Sequence, residues 1–327
     1  MPKSRRQRKQ VKKKNSYRIK NWSEYNAALK KRGSITLWFS NEALANWRHH
    51  GPKQRGAQYR YSELAIQTAL TVKIIYHLGL RQTEGFLHSL AKLLGVEIDI
   101  PDYSTLSRRQ KTLTVPLAAS SPRGPVYVVV DSTGVKVFGE GEWKVRQHGL
   151  SKRRTWLKLH AAVNEATGEA MAVEVTTNSV DDAAEVKPLL AQIATPINAF
   201  GGDGGYDKKK VYSTLAERSR QQQTAIQINI PPRKDAKIIQ HGNSAQAPLA
   251  RDENLRAIRE HGRQRWKEQC GYHRRSLAET FMFRYKTIIG SQLKARVFAA
   301  QQIEIRIGCM ILNRMTTLGM PDAYKKG

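Results

Sequence analysis

Four of the five residues in Val126-Tyr-Val-Val-Val130 are valine, and the run stops at Asp131-Ser-Thr-Gly134. β-Branched side chains favour a pleated strand, and an unbroken apolar run has no polar face to offer water. The chain must therefore build a sheet covered on both faces, with a buried strand that delivers a carboxylate at its carboxyl end. Downstream, residues 156–164 and 169–177 alternate or run apolar around Ala166-Thr-Gly168, which predicts a hairpin beside that strand. Helix, strand, helix and strand are expected over 182–193, 197–200, 209–220 and 225–230. A polar loop to about Gly262 then leads to a last helix. Three strands followed by alternating helices and strands make an α/β layout.

That last helix, Gly271 to Gly290, has no proline between its bounding glycines and is expected to run about five turns. At about 100° per residue, Tyr272, Arg275, Glu279 and Lys286 share one face, while Leu277, Phe281, Tyr285 and Ile288 form the opposite, docking stripe. Glu279 then faces either water, paired with Arg275 one turn away, or an active site. Asp203 lies in Gly-Gly-Asp203-Gly-Gly just after the strand 197–200, so two acids sit at strand ends, where open α/β sheets bind ligands. Neighbouring carboxylates repel, and a fold gains nothing from them, whereas hard divalent cations require oxygen ligands of this kind. Glu279 supplies a third. Asp207, Glu140 and Glu142 read better as surface charge or a helix cap.

Fifty-six Lys and Arg against 27 acids give a formal charge of +29. Self-repulsion of that size points to a polyanionic partner, with nucleic acid the first expectation. Residues 1–60 hold seventeen Lys and Arg against two Glu, and Met1 to Lys14 reads as an arm for phosphate backbones. Helices are expected over 61–78 and 81–94 and a short one over 104–111, the outline of a helix-turn-helix unit. Its last helix would carry Arg108, Arg109 and Lys111 to DNA, although such triplets are also common as plain structure. Nothing is long and apolar enough to span a bilayer, so no membrane partner is expected. Cys270 and Cys309 are far apart and read as buried thiols of a reducing cytoplasm.

Asp131-Ser-Thr-Gly, the Asp203-Gly-Gly-Tyr-Asp207 segment and Tyr272-x2-Arg275-x3-Glu279-x6-Lys286 resemble the three blocks of DDE transposases of bacterial insertion sequences. The match is to the IS-five family, in its IS-nine-oh-three-like group, and the tracts Phe138 to Val145, Pro231-Pro-Arg233-Lys234 and Leu312 to Met315 share it. Gly204 departs from the small alanine-like residue common there. The resemblance implies an RNase H-like catalytic domain with a mixed central sheet flanked by helices, preceded by an all-α DNA-binding region. It also implies Asp131, Asp203 and Glu279 as ligands of two Mg²⁺, for which Mn²⁺ substitutes.

The partners so implied are double-stranded DNA at the terminal inverted repeats and at the target, with a homodimer or larger assembly on paired ends in a bacterial cytoplasm. Arg275 and Lys286 suit phosphate contact, and Tyr272 suits a phosphate, a base or a structural hydroxyl bond. Trp143 and Trp156 stand among lysines and arginines and read equally as a stacking surface for DNA or as buried core, and Arg233 and Lys234 join the DNA contacts. Expected divisions are an arm at 1–58, a helical unit at 59–120, the catalytic domain at 121–295 and a C-terminal helix and tail at 296–327. A DNA-binding regulator with an idle metal site, a structure-selective nuclease and a basic RNA-binding protein are the rival readings; three intact acids tell against the first, strand transfer separates the second, and the third explains the charge but not the acids.

Overall fold

The computed structural model describes residues 17–52, 55–117, 124–137, 156–240 and 248–325. It begins with β1 (Tyr17–Ile19), α1 (Trp22–Arg32), α2 (Ile35–Trp38), α3 (Asn41–Ala45), α4 (Glu63–Ile75), α5 (Leu80–Leu94) and α6 (Tyr103–Gln110). Ser62 caps α4 by accepting from Ala65 N. Gly95 ends α5 at φ 64°, where a β-carbon would be strained. Asp102 caps α6 and also takes the Ser104 and Thr105 hydroxyls, which hold its carboxyl well below the usual range.

The sheet follows: β2 (Val126–Lys136), β3 (Trp156–Asn164), β4 (Ala170–Thr177), α7 (Val186–Ala191), β5 (Ile197–Gly201), α8 (Lys209–Gln221) and β6 (Gln227–Asn229). Its order is β4-β3-β2-β5-β6, with β2–β3 and β3–β4 antiparallel and β2–β5 and β5–β6 parallel. The expected α/β layout and hairpin are therefore present. One helix, α9 (Ala250–His261), occupies what was expected to be polar loop, and a second, α10 (Arg263–Gln269), lies between that loop and the last helix. Their polar residues are not all solvated: Asp252 is buried and accepts from the Ile239 and Gln240 amides.

The strand of the opening run does not stop at Asp131. It continues to Lys136 because β3 pairs with it from Val128 to Lys136, whereas β5 pairs only as far as Val129. Side chains alternate across it. Val126, Val128 and Val130 pack with Leu189 of α7 and Val211 and Leu215 of α8. Val129 and Val135 face the other way, toward Phe281, Tyr285, Leu106 and Leu70.

That second face is covered by the element expected as one five-turn helix, and it is in fact three pieces. A 3-10 turn (Tyr272–Arg275) leads into α11 (Ser276–Arg284), which widens into a π turn (Tyr285–Ile289). Phe281 and Tyr285 of the expected stripe are buried, together with Tyr272, Ala278 and Met282, whereas Leu277 and Ile288 are only partly covered. The widening has a local cause in α12 (Phe298–Thr317): a β-carbon at Gly308 would sit 2.9 Å from both Tyr285 and Ile289, so only glycine admits this crossing. β7 (Ala323–Lys325) closes the chain against β1.

The core does not divide at residue 120. One continuous apolar cluster joins Trp38 and Leu70 of the N-terminal helices to Leu159 of the sheet and to Ile311 of α12. Among the described residues, no helix is long and apolar enough to cross a membrane.

Candidate active site

Register places two of the acids together. Parallel pairing of β2 with β5 ends at Val129 opposite Gly201, and Asp131 and Asp203 each follow by two residues. Asp131 shares the face of Val129, the face that α11 covers, and its partner across β3 is Ala161, too small to fill the space in front of it. Gly201 is needed beneath: a β-carbon there would lie 2.8 Å from the Tyr127 hydroxyl.

Burial raises the Asp131 carboxyl to about 6, against a hydrogen bond from the Ser132 amide, and the charges of Asp203 and Glu279 push it further the same way. Asp203 caps the turn after β5 by accepting from Gly205 N at 2.8 Å, and otherwise stands exposed. Glu279, with half of its side chain exposed, accepts from Arg275 at 2.7 Å. The Tyr272 ring lies under Arg275, 5.2 Å from the guanidinium, and packs on Trp266 at 6.0 Å. Only 8% of Tyr272 is exposed, and its electrostatic neighbours are Arg275, Asp203 and Glu279. The Tyr272 ring thus lies as a platform beneath Arg275.

Among the described residues, Asp131 and Asp203 have no cationic partner, whereas the other acids of this region do. Asp182 meets Lys158 at 3.0 Å and Asp181 meets Lys208 and Lys210 at 2.6 Å. Asp207 is buried on Arg251 at 2.9 Å and also accepts from the Tyr212 hydroxyl and the Arg233 amide, so it is neither the surface charge nor the helix cap expected of it. Asp181 and Asp182 went unremarked as neighbours of the centre, although the buried Tyr206 feels both of them together with Asp131 and Asp203. Their doublet was visible, but nothing in the sequence says which cations neutralise it.

Among the described residues, no three acidic, histidine or cysteine side chains yet converge tightly enough to hold one cation. The donor chemistry nevertheless fits hard divalent cations: three carboxylates, of which Asp203 and Glu279 both raise the proton affinity of the buried Asp131. Glu279 is paired with Arg275.

The expected DNA contacts separate. Lys286, Arg108, Lys111, Arg233 and Lys234 are exposed. Arg109 is not: it is 8% exposed, donates to the Tyr61 carbonyl at 2.9 Å and stacks on Tyr59 at 3.9 Å, so it fastens α6 to the core instead of reading bases. Trp143 lies outside the described residues, as do Glu140, Glu142, the basic residues beside Trp143 and the arm before Tyr17. Trp156 is half-buried under Lys136, 5.6 Å from its ammonium. Cys270 is half-buried and Cys309 buried, both as free thiols.

A family profile described as "Transposase DDE domain" matches residues 122–314, and a second of the same description matches 30–140. Among solved structures, the piggyBac transposase synaptic complex with hairpin DNA, seen by cryo-electron microscopy, aligns at a TM-score of 0.42. Its identity is 12%, over 86% of this chain and 73% of that one. The Drosophila P element transposase strand transfer complex aligns at 0.31 with 13% identity, over 87% of this chain and 62% of that one.

Proposed function

Because the chain belongs to the transposases built on a DDE domain, whose profile spans residues 122–314 of its 327, we propose that Asp131, Asp203 and Glu279 are its catalytic acids. On this reading it binds the ends of an insertion sequence, cleaves DNA to expose a 3′-OH and joins that end to target DNA. The observation that carries the reading is the pair of carboxylates at equal register past the last β2–β5 rung, with no ion pair among the described residues in a chain of +29, beneath the helix that bears Glu279. The strand order β4-β3-β2-β5-β6 supports an RNase H-like domain.

The three acids would hold two Mg²⁺, or Mn²⁺, which when bound favour loss of the attacking hydroxyl's proton and offset charge on the leaving oxygen of an in-line phosphoryl transfer. Arg275, aimed by Tyr272, leaves Glu279 for a non-bridging phosphate oxygen, where a guanidinium donates two hydrogen bonds. That exchange releases Glu279 to its ligand position. Lys286 lies two turns on and adds a point charge along the same strand. Arg108, Lys111, Arg233 and Lys234 contact backbone outside the centre, and the arm before Tyr17 does the same. Joining two ends calls for at least two protomers on paired DNA. The chemistry and the strand ends fit the IS-five family and its IS-nine-oh-three-like group, in a bacterial cytoplasm.

The test is an incubation of the purified protein with DNA carrying the element's terminal repeats and with Mg²⁺, resolved on a denaturing gel. Nicked ends and joined products that vanish with chelator are expected. Cutting without joining would make it a nuclease of the same fold. Retention of the ends without any cutting, in Mg²⁺ or Mn²⁺, would leave the Arg275–Glu279 pair as a resting surface contact and the protein as a DNA-binding regulator.

A further inference from the structure

A cleft of about 780 Å³ opens between the start of α5, α6 and the segment 294–297. Five basic residues line it, Lys73, Arg81, Lys111, Lys294 and Arg296, and among the described residues no acid does. Folding gains nothing by ringing a water-filled space with like charges, each of which raises the cost of its neighbours. The wall is also built rather than loose. Segment 291–293 is laced to the end of β2, with Lys136 N donating to Ser291 at 2.9 Å and Leu293 N to the Lys136 carbonyl at 2.8 Å. Beyond it, Glu304 accepts from the Lys294 and Ala295 amides at 3.0 and 2.7 Å.

The cations are held in place. Lys73 is buried beside Glu304 at 3.8 Å, the pair that anchors the floor. The Lys294 ammonium donates to the carbonyls of His77 and Leu78, and His77 takes φ 53°, unusual without glycine, in the turn that presents them. Arg81 lies flat on Tyr103 at 4.2 Å, a planar cationic platform at the rim. The Lys111 side chain makes no hydrogen bond or ion pair among the described residues, and the residue lines this cleft at the end of α6.

We infer that this cleft is a second DNA site, which takes the phosphodiester backbone of one strand of about two nucleotides and leads it away from the carboxylates along the wall that leaves β2. The inference rests on the DNA reading above. A space of this size suits a small ligand or a short length of single strand, not the body of a duplex.

The experiment compares binding of a short single strand and of a duplex, across a salt series, by the full chain and by Arg81→Gln/Lys111→Gln/Arg296→Gln. A control removes equal charge from the far face of the sheet, Lys187→Gln/Lys209→Gln/Arg220→Gln. Expected for the cleft variant is at least tenfold weaker single-strand binding and a fall of about 1.4 in the salt slope, since each of two phosphate contacts contributes roughly 0.7. Duplex binding should change less than threefold. Should the cleft triple melt early, Lys111→Gln alone should lower the slope by roughly 0.7. The inference is overturned by unchanged single-strand binding, by an equal loss in the control, or by an equal or larger loss on duplex. If the unaltered protein binds neither DNA, the DNA reading itself falls with it.

Discussion

The Arg275 guanidinium donates to the Glu279 carboxylate at 2.7 Å, one helical turn apart, and half of the Glu279 side chain remains exposed. A pair so exposed contributes at most about 1 kcal/mol to folding. Glu279→Gln should therefore leave the melting temperature nearly unchanged while cleavage and joining fall by orders of magnitude and DNA retention persists. Asp131→Asn and Asp203→Asn should match it, and the triple change should add little, because groups acting as one unit are not additive. Cleavage by Glu279→Gln at near the parent rate would remove it from the site.

Asp131 has the opposite signature. Burial first, and then its acidic neighbours, raise its carboxyl to about 6, so at neutral pH the folded state carries an anion it disfavours. Asp131→Asn should stabilise the protein in chelator at pH 8 by about 1–2 kcal/mol, allowing for partial exposure. Excess Mg²⁺ should raise the melting point of the parent and not of the variant. A variant less stable than the parent would contradict this account of the site.

Asp207, four residues from Asp203, should behave as structure. Its carboxylate is buried and holds Arg251, Tyr212 and the Arg233 amide, so it ties three segments together. Asp207→Ala leaves the arginine uncompensated and should cost about 3–5 kcal/mol in a denaturant titration. A loss under about 1 kcal/mol would show the network to be solvated.

Acid stability should report on His160, which is fully buried in β3 and bonded to Thr176 at 2.8 Å. Burial lowers its proton affinity to about 4, against the pull of Asp182. The folded state then binds fewer protons than the unfolded one below about 6.5, so this contribution is complete above that pH and lost on descent toward 4. Urea midpoints from pH 7 to 4.5 should fall less steeply for His160→Gln than for the parent. Parallel curves would remove His160 from the acid transition.

A fragment starting at residue 121 should not melt cooperatively. It exposes the side of α12 that α4 and α6, with Leu70 and Leu106, now cover. Calorimetry of the fragment tests this, and a sharp transition near that of the full chain would establish an independent domain.

The sequence by itself determined the elements whose pattern is local. The valine run, the hairpin at 156–177 and the alternation after it each state their own period, and the acids are fixed by where those runs end. It also determined the spacing of Arg275 and Glu279, because an i,i+4 pair needs only one turn of helix. The tertiary structure decided what depends on distant partners. β3 carries β2 past Asp131 by supplying nine rungs, and Gly308 of α12 accepts a π turn that no local signal announces. Arg109 and Lys111, two residues apart on a basic helix, look equivalent as sequence. Tyr59 and the Tyr61 carbonyl bury the first, and a wall pinned by Glu304 turns the second into a cleft. Charge is legible in a chain read alone; which charges are already neutralised is not, because counter-ions are chosen across sequence separations that only packing brings together.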